Sequence, residues 1–168
     1  MLRSARVDWR TPPEVVAVVR QAFGGRIDLD PCAPPDPAHT IAKGNLAGPA
    51  GSPADGLAAE WHGSVYVNPP FGDLAAWAAK CAAEARGGAE VILLLPARTD
   101  TAYWHDHVAT ASLVCFWRGR LRFVGAPASC PFPVAFAYWG PRPALFHAAF
   151  SKFGMVVASG ASSHGEGR

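Results

Sequence analysis

The sequence predicts an α/β fold in a single domain, with a mostly parallel sheet and an antiparallel hairpin late in the chain. Two observations carry this expectation. Strand-like apolar runs alternate with segments of helical composition, and Glu90–Leu95 reads after its first residue as a continuous apolar strand, the kind buried on both faces of a parallel sheet. Three strands also run directly into Asp30-Pro31, Asn68-Pro69 and Pro96-Ala97-Arg98. Ligands of such sheets bind at the carboxyl ends of the strands, so these three segments are expected along one edge.

Taken in order, Thr11-Pro12-Pro13-Glu14 opens a helix over 11–23, with Thr11 as N-cap, proline at the first helical position and an acid in the first turn. Val15, Val18, Val19 and Phe23 recur at helical spacing, and Gly24-Gly25 ends the helix. Ile27–Asp30 is a short strand. Residues 34–55 are rich in Pro, Gly, Ala and Ser and are expected to form a long functional or mobile loop with its tip at Pro49–Pro53. Ser64–Val67 is a strand ending at Asn68, and Asp73–Arg86 is a helix closed by Gly87-Gly88. After strand Glu90–Leu95 comes a short helix, Thr101–Ala109. Ser112–Trp117 and Leu121–Val124 are expected as two strands joined at Arg118-Gly119-Arg120, the late hairpin. Val134–Trp139 is a strand, Arg142–Phe153 a helix and Met155–Ala158 a last strand. The domain is expected to span 1–158, followed by a disordered Gly/Ser-rich tail over 159–168.

Composition excludes several classes. A chain of 168 residues buries roughly 70% of its unfolded surface, enough for a core without disulfides or structural metal. With half its residues hydrophobic and 17% charged, the composition is globular. The net charge of +2 gives no global basic field, so a nucleic-acid partner must announce itself in local clusters. The longest strongly apolar run, Val91–Leu95, is too short to span a bilayer. Met1–Arg10 has basic residues but no apolar stretch behind them, so no signal peptide is expected and the cytoplasm is the expected compartment. Cys32, Cys81, Cys115 and Cys130 lack metal-ligand spacing, and no metal site is expected. Three of them read as small buried hydrophobes, while Cys32 stands apart because of its neighbours.

The segment richest in chemistry is Asn68-Pro69-Pro70-Phe71. The lone pair of an exocyclic amine on adenine is delocalised into the ring, which makes it a poor nucleophile. Hydrogen bonds accepted from both amino hydrogens return electron density to the nitrogen. The Asn68 side-chain oxygen and a neighbouring backbone carbonyl supply two acceptors, and Pro69-Pro70 stiffens the turn without offering a competing N–H. Phe71 offers a ring for a base to stack on, worth ~1–3 kcal/mol, after a duplex base has been flipped out at a cost of a few kcal/mol. Neither metal nor strong base is needed. The same turn serves any planar amine or amide nitrogen, including bases in RNA and glutamine side chains in proteins. As a purely structural element it would be a proline-rich turn with Phe71 in the core.

Six segments together resemble the phage-encoded, Dam-like DNA N6-adenine methyltransferases. They are Asp8-Trp9-Arg10-Thr11-Pro12, Leu29-Asp30-Pro31-Cys32-Ala33, Asp55-Gly56-Leu57 with Trp61, Asn68-Pro69-Pro70-Phe71-Gly72, Leu94-Leu95-Pro96-Ala97-Arg98-Thr99-Asp100-Thr101 with Trp104-His105, and Gly119-Arg120-Leu121-Arg122-Phe123. The likeness runs from about residue 8 to residue 139. It implies a Rossmann-like methyltransferase fold, S-adenosylmethionine as methyl donor and adenine in DNA as acceptor. It implies a cofactor pocket lined by Trp9, Thr11, Pro12, Asp30, Pro31, Cys32 and Ala33, with Asp55 toward the adenosine part. Where many methyltransferases carry a glycine-rich loop, this chain has Asp30-Pro31, a departure shared with the family.

Each candidate also has a plainer role. Asp30 suits a turn-capping carboxylate, and Asp55 suits the cap of a helix over Leu57–Trp61. Arg98 suits contact with a phosphate or flipped nucleotide, or else solvent, with Asp100 holding it or capping a helix, and His105 suits the surface or core better than catalysis. Arg118, Arg120 and Arg122 suit either a solvated turn or a hairpin that tracks the DNA backbone. A catalytically silent nucleic-acid-binding module is the remaining alternative, favoured by the small space left for a target-recognition domain.

Overall fold

The computed structural model describes residues 9–48, 51–52 and 54–159. Asp8, most of the expected loop tip and the tail beyond Ser159 lie outside the described residues. The N-terminal helix, α1 (Pro13–Ala22), has its N-cap at Pro12, one residue later than expected. A proline disfavours the helical region for the residue before it. Pro13 thus holds Pro12 extended, at φ −60° and ψ 146°, and Pro12 takes the N-cap position with no side-chain cap. Thr11 is freed for another use. At the far end Gly24 takes φ +77°, and Gly25 N–H returns to the Arg20 carbonyl at 2.7 Å. This is the left-handed closure that glycine allows.

Among the described residues seven strands form one sheet: β1 (Leu29–Asp30), β2 (Gly44–Asn45), β3 (Ser64–Val67), β4 (Glu90–Pro96), β5 (Leu113–Trp117), β6 (Val134–Trp139) and β7 (Gly154–Ala158), in spatial order β2-β1-β3-β4-β6-β5-β7. The first four are parallel in that order, with Leu29 opposite Gly44 and Val65, and Val65 opposite Val91. β6 runs against both β4 and β5, and β7 runs against β5. The sheet is therefore mixed, with its antiparallel part late in the chain, but the hairpin is not where the sequence placed it. β5 has β6 on one side and β7 on the other, which leaves no edge for Leu121–Val124. That segment keeps the alternation of a strand, Leu121 and Phe123 buried and Arg122 and Val124 exposed. It makes a single bridge, Val124 to Arg10. β2 lies inside the expected 34–55 loop, and two residues are too few to show a period. The same loop carries a single 3-10 turn, Pro37–His39, capped where Ala38 N–H meets the Asp36 carboxylate at 2.9 Å.

Alternate strand residues feed two cores. Tyr66, Ile92, Leu94, Phe136 and Tyr138 pack with α1 and α4 (Pro143–Phe150), while Val65, Val67, Leu93, Leu95 and Ala137 pack with α2 (Leu74–Arg86) and α3 (Ala102–Asp106). Helices thus cover both faces, which is why β3, β4 and β6 are buried along their whole length. Ser159, expected in the tail, is anchored by its hydroxyl to the Ala109 carbonyl at 2.6 Å.

One edge of the sheet is closed by a polar network. Glu90, 8% exposed, accepts from Arg142 at 2.6 Å and from the Tyr138 hydroxyl at 2.7 Å. Arg142 also donates to the Phe23 carbonyl at the end of α1. The network ties β4, β6, α1 and α4 together. Because the guanidinium is 40% exposed, Arg142→Ala should cost less than the loss of a fully buried partner, about 2–3 kcal/mol. Tyr138→Phe removes two hydrogen bonds, the one donated to Glu90 and the one accepted from Arg142 N–H, and should cost about 2 kcal/mol. Urea unfolding monitored by circular dichroism measures both.

Candidate active site

β1, β3 and β4 are parallel neighbours, so Asp30, Asn68 and Pro96-Ala97-Arg98 share one edge, opposite the Glu90 network. β5 also ends there, and β6 starts there because Val134 pairs with Pro96. The 118–133 connection therefore arcs over the same edge, bringing Arg118, Arg120 and Arg122 with it.

Asn68 is half-buried. Its Nδ2 donates to the Trp9 carbonyl at 2.7 Å and to Thr11 Oγ1 at 3.2 Å. A carbonyl only accepts, so the amide nitrogen must face Trp9 and the Oδ1 atom must face away. That oxygen has no hydrogen-bond partner among the described residues. The Thr11 hydroxyl, not spent on capping, bonds at 2.9 Å to the hydroxyl of Tyr66, which is wholly buried on β3. Pro69 is buried, Pro70 exposed and Phe71 half-buried. The Phe71 ring meets Trp9, Phe123 and Phe132 edge to face, at 5.6, 6.2 and 5.4 Å between centroids. The Arg98 guanidinium lies 5.5 Å over the Phe132 ring.

Asp30 is 6% exposed, and its Oδ1 accepts from Cys32 N–H at 2.9 Å. Burial pushes its carboxyl up to about 6, against that one hydrogen bond. The Cys32 thiol is driven well up by burial and then by the Asp30 charge, with the Asn68 N–H acting in the opposite sense. Cys32 is thus a neutral thiol set between Asp30 and Asn68. Pro31 and Ala33 are buried beside it. A side chain at Gly56 would place Cβ 2.0 Å from the Pro31 carbonyl oxygen, so only glycine lets these two segments touch. Trp61 Nε1 donates to the Gly56 carbonyl at 2.9 Å and holds it there.

Asp55 serves its own turn. Its two oxygens accept from Gly51 N–H at 2.7 Å and Leu57 N–H at 3.0 Å, and these bonds lower its carboxyl pKa. Arg98, Asp100, His105, Arg118, Arg120 and Arg122 are exposed. Asp100 and His105 make no side-chain hydrogen bond among the described residues. No group of metal-ligating side chains forms among the described residues, and no helix is long and apolar enough to cross a membrane.

Sequence reading missed Tyr66, Phe123 and Phe132 as parts of this site. Tyr66 stands two residues before Asn68 on a strand whose alternation points it toward Thr11, a signal visible only once the strand's facing is known. Phe132 lies in a proline-flanked stretch with no period at all.

Asp30 generates a pH prediction. Its folded-state pKa is raised, so between about 4 and about 6 the folded chain keeps a proton that the unfolded chain releases. Stability therefore falls as pH rises through that window. Asp30→Asn keeps an oxygen for Cys32 N–H and removes the buried charge. It should be more stable than the parent at pH 7 by on the order of 3 kcal/mol, with the difference gone below about pH 4. Thermal unfolding at the two pH values checks this.

A family model described as DNA N-6-adenine-methyltransferase (Dam) matches residues 1–132. No curated protein and no solved structure matches the chain. The matched region holds the Trp9–Pro12 segment, Asp30–Ala33, Asn68–Phe71, Arg98 and the loop as far as Phe132. The chain belongs to the DNA N-6-adenine-methyltransferase (Dam) family.

Proposed function

We propose that the protein transfers a methyl group from S-adenosylmethionine to the N6 amino group of adenine in DNA. The observation that carries this reading is the fixed Asn68 amide. Its nitrogen is tied to Trp9 and Thr11, which leaves Oδ1 as a preset acceptor at the sheet edge. Such an acceptor is arranged before substrate arrives and needs no reorganisation during reaction. The Pro69 carbonyl is the second acceptor on the same turn, so both hydrogens of a planar amine are engaged and its lone pair is directed outward. Phe71, half-buried in a ring of aromatic edges, supports the base.

The residues fit the cofactor. Asp30 is nearly buried, carries a costly charge, and has an Oδ2 with no partner among the described residues, which is the condition of a carboxylate waiting for a donor. Asp30, Pro31, Cys32 and Ala33, with Trp9 and Pro12, would hold it, and Asp55 would keep the adjoining loop in shape. When bound, S-adenosylmethionine supplies a methyl group on a positively charged sulfur, open to attack by nitrogen. Thr11 acts through Asn68 in this reading. Arg98, Arg118, Arg120 and Arg122 bear on phosphates of the flipped nucleotide and its flanks. The reading places the protein in the cytoplasm of a bacterial or phage-infected cell, where DNA and donor coexist.

Purified protein given tritiated S-adenosylmethionine and unmethylated DNA should place label in material sensitive to DNase. Label sensitive to RNase or protease instead, or cofactor binding without transfer, would overturn the reading. Asn68→Ala should lower the rate by roughly 10²–10³-fold, the loss seen when one preset polar group is removed, with cofactor affinity nearly unchanged by calorimetry. Thr11→Val should lower kcat while leaving the KM for S-adenosylmethionine in place, and Thr11→Ser should restore kcat. A rise in that KM at constant kcat would make Thr11 a cofactor contact instead.

A further inference from the structure

Between Asp106 and Glu166 the chain contains no acidic residue, yet this stretch carries Arg118, Arg120, Arg122, Arg142 and Lys152. Arg142 is neutralised by Glu90 at the far edge. The other four stand at the catalytic edge. The three arginines leave the end of β5, and Lys152 precedes β7, whose Gly154 pairs with Trp117. Arg118 N–H donates to the Phe153 carbonyl at 2.9 Å, which brings the two segments side by side. None of the four forms an ion pair among the described residues, and all are exposed.

Among them sits an aromatic pair. The Phe153 ring lies flat on Trp117, with centroids 5.2 Å apart and an interplanar angle of 3°, yet it remains 39% exposed. Arg118 and Lys152 adjoin the stacked pair in sequence and place unpaired positive charge beside a ring that water reaches. They suit a polyanion that carries flat apolar groups of its own.

We propose that Trp117, Arg118, Lys152 and Phe153 form a second DNA contact at the far end of the same edge, where the cations hold phosphates of the flanking strand and Phe153 packs on an exposed base or sugar. The proposal rests on DNA being the substrate and says where the flanking strand runs. Lys152 and Phe153 lie beyond the 1–132 family match, so the contact belongs to the chain's own last third.

The test uses the full chain and a labelled mixed-sequence DNA duplex, with anisotropy titrations across a range of salt. Lys152→Ala should weaken binding several-fold at low salt and flatten the plot of log K against log salt by about 0.9 per lost phosphate contact. Phe153→Ala should weaken binding about tenfold, with the salt slope unchanged. Lys152→Glu, on an exposed side chain, keeps the test valid should Phe153→Ala fail to fold. Variants that bind DNA with the parent's affinity and slope, while the parent methylates DNA, overturn this contact and leave the activity standing. A parent that neither binds nor methylates DNA overturns both. Binding of these residues to phosphatidylserine vesicles in preference to DNA also overturns the contact.

Discussion

The hydrogen bond from Asn68 Nδ2 to the Trp9 carbonyl is the constraint around which the candidate site is organised. It decides which atom of the amide is turned away from Trp9 and left without a partner among the described residues, and it holds the segment before α1 across the end of β3. Other elements lean on that segment. Val124 N–H donates to the Arg10 carbonyl, Phe123 packs on Trp9 at 5.0 Å, and Phe71 closes on both rings. Thr11 joins the same cluster because two consecutive prolines displace the helix start beyond it. Rigidity at Asn68 is thus assembled from three stretches of chain that are far apart in sequence.

The two edges of the sheet are built in opposite ways. At one, polar groups satisfy one another. Glu90, Tyr138 and Arg142 form a closed set, and Asp28 is held below the usual carboxylate range chiefly by the Ser64 backbone N–H. A cleft there, lined by Gly24, Arg26, Asp28, Glu90 and Arg142, has its charges already partnered. At the other edge, Asp30 and Asn68 each keep an oxygen unused, and the cations of the 118–122 loop form no ion pair among the described residues. Unsatisfied polar groups in a half-buried setting are costly in a resting protein, and they mark where a ligand completes the structure.

Much of this was legible in the residues. Gly24-Gly25, the apolar run of β4 and the Asn68 turn follow from local rules about left-handed glycine, strand burial and proline stiffness, and such rules act within a few residues. The failures share one cause. Leu121–Val124 alternates like a strand, but whether a strand finds a neighbour depends on what already flanks β5. Asp55 offered two readings, a helix cap or a ligand contact; residues 57–61 form turns rather than a helix, so its oxygens cap the turn from Gly51 to Leu57, and each keeps a lone pair for a ligand. β2 was invisible because two residues carry no period.

By itself the sequence determined the class of fold, the order of its main elements and the stiff Asn68-Pro69-Pro70 turn at a strand end, because period, apolarity and backbone chemistry are local properties. Only the tertiary structure decided which way the Asn68 amide faces, which aromatic rings surround Phe71, and that four cations of the last third share the catalytic edge with an exposed ring. Those outcomes depend on strand order and on loops that cross the sheet. They are set by the packing of distant segments against one another, which no local pattern encodes.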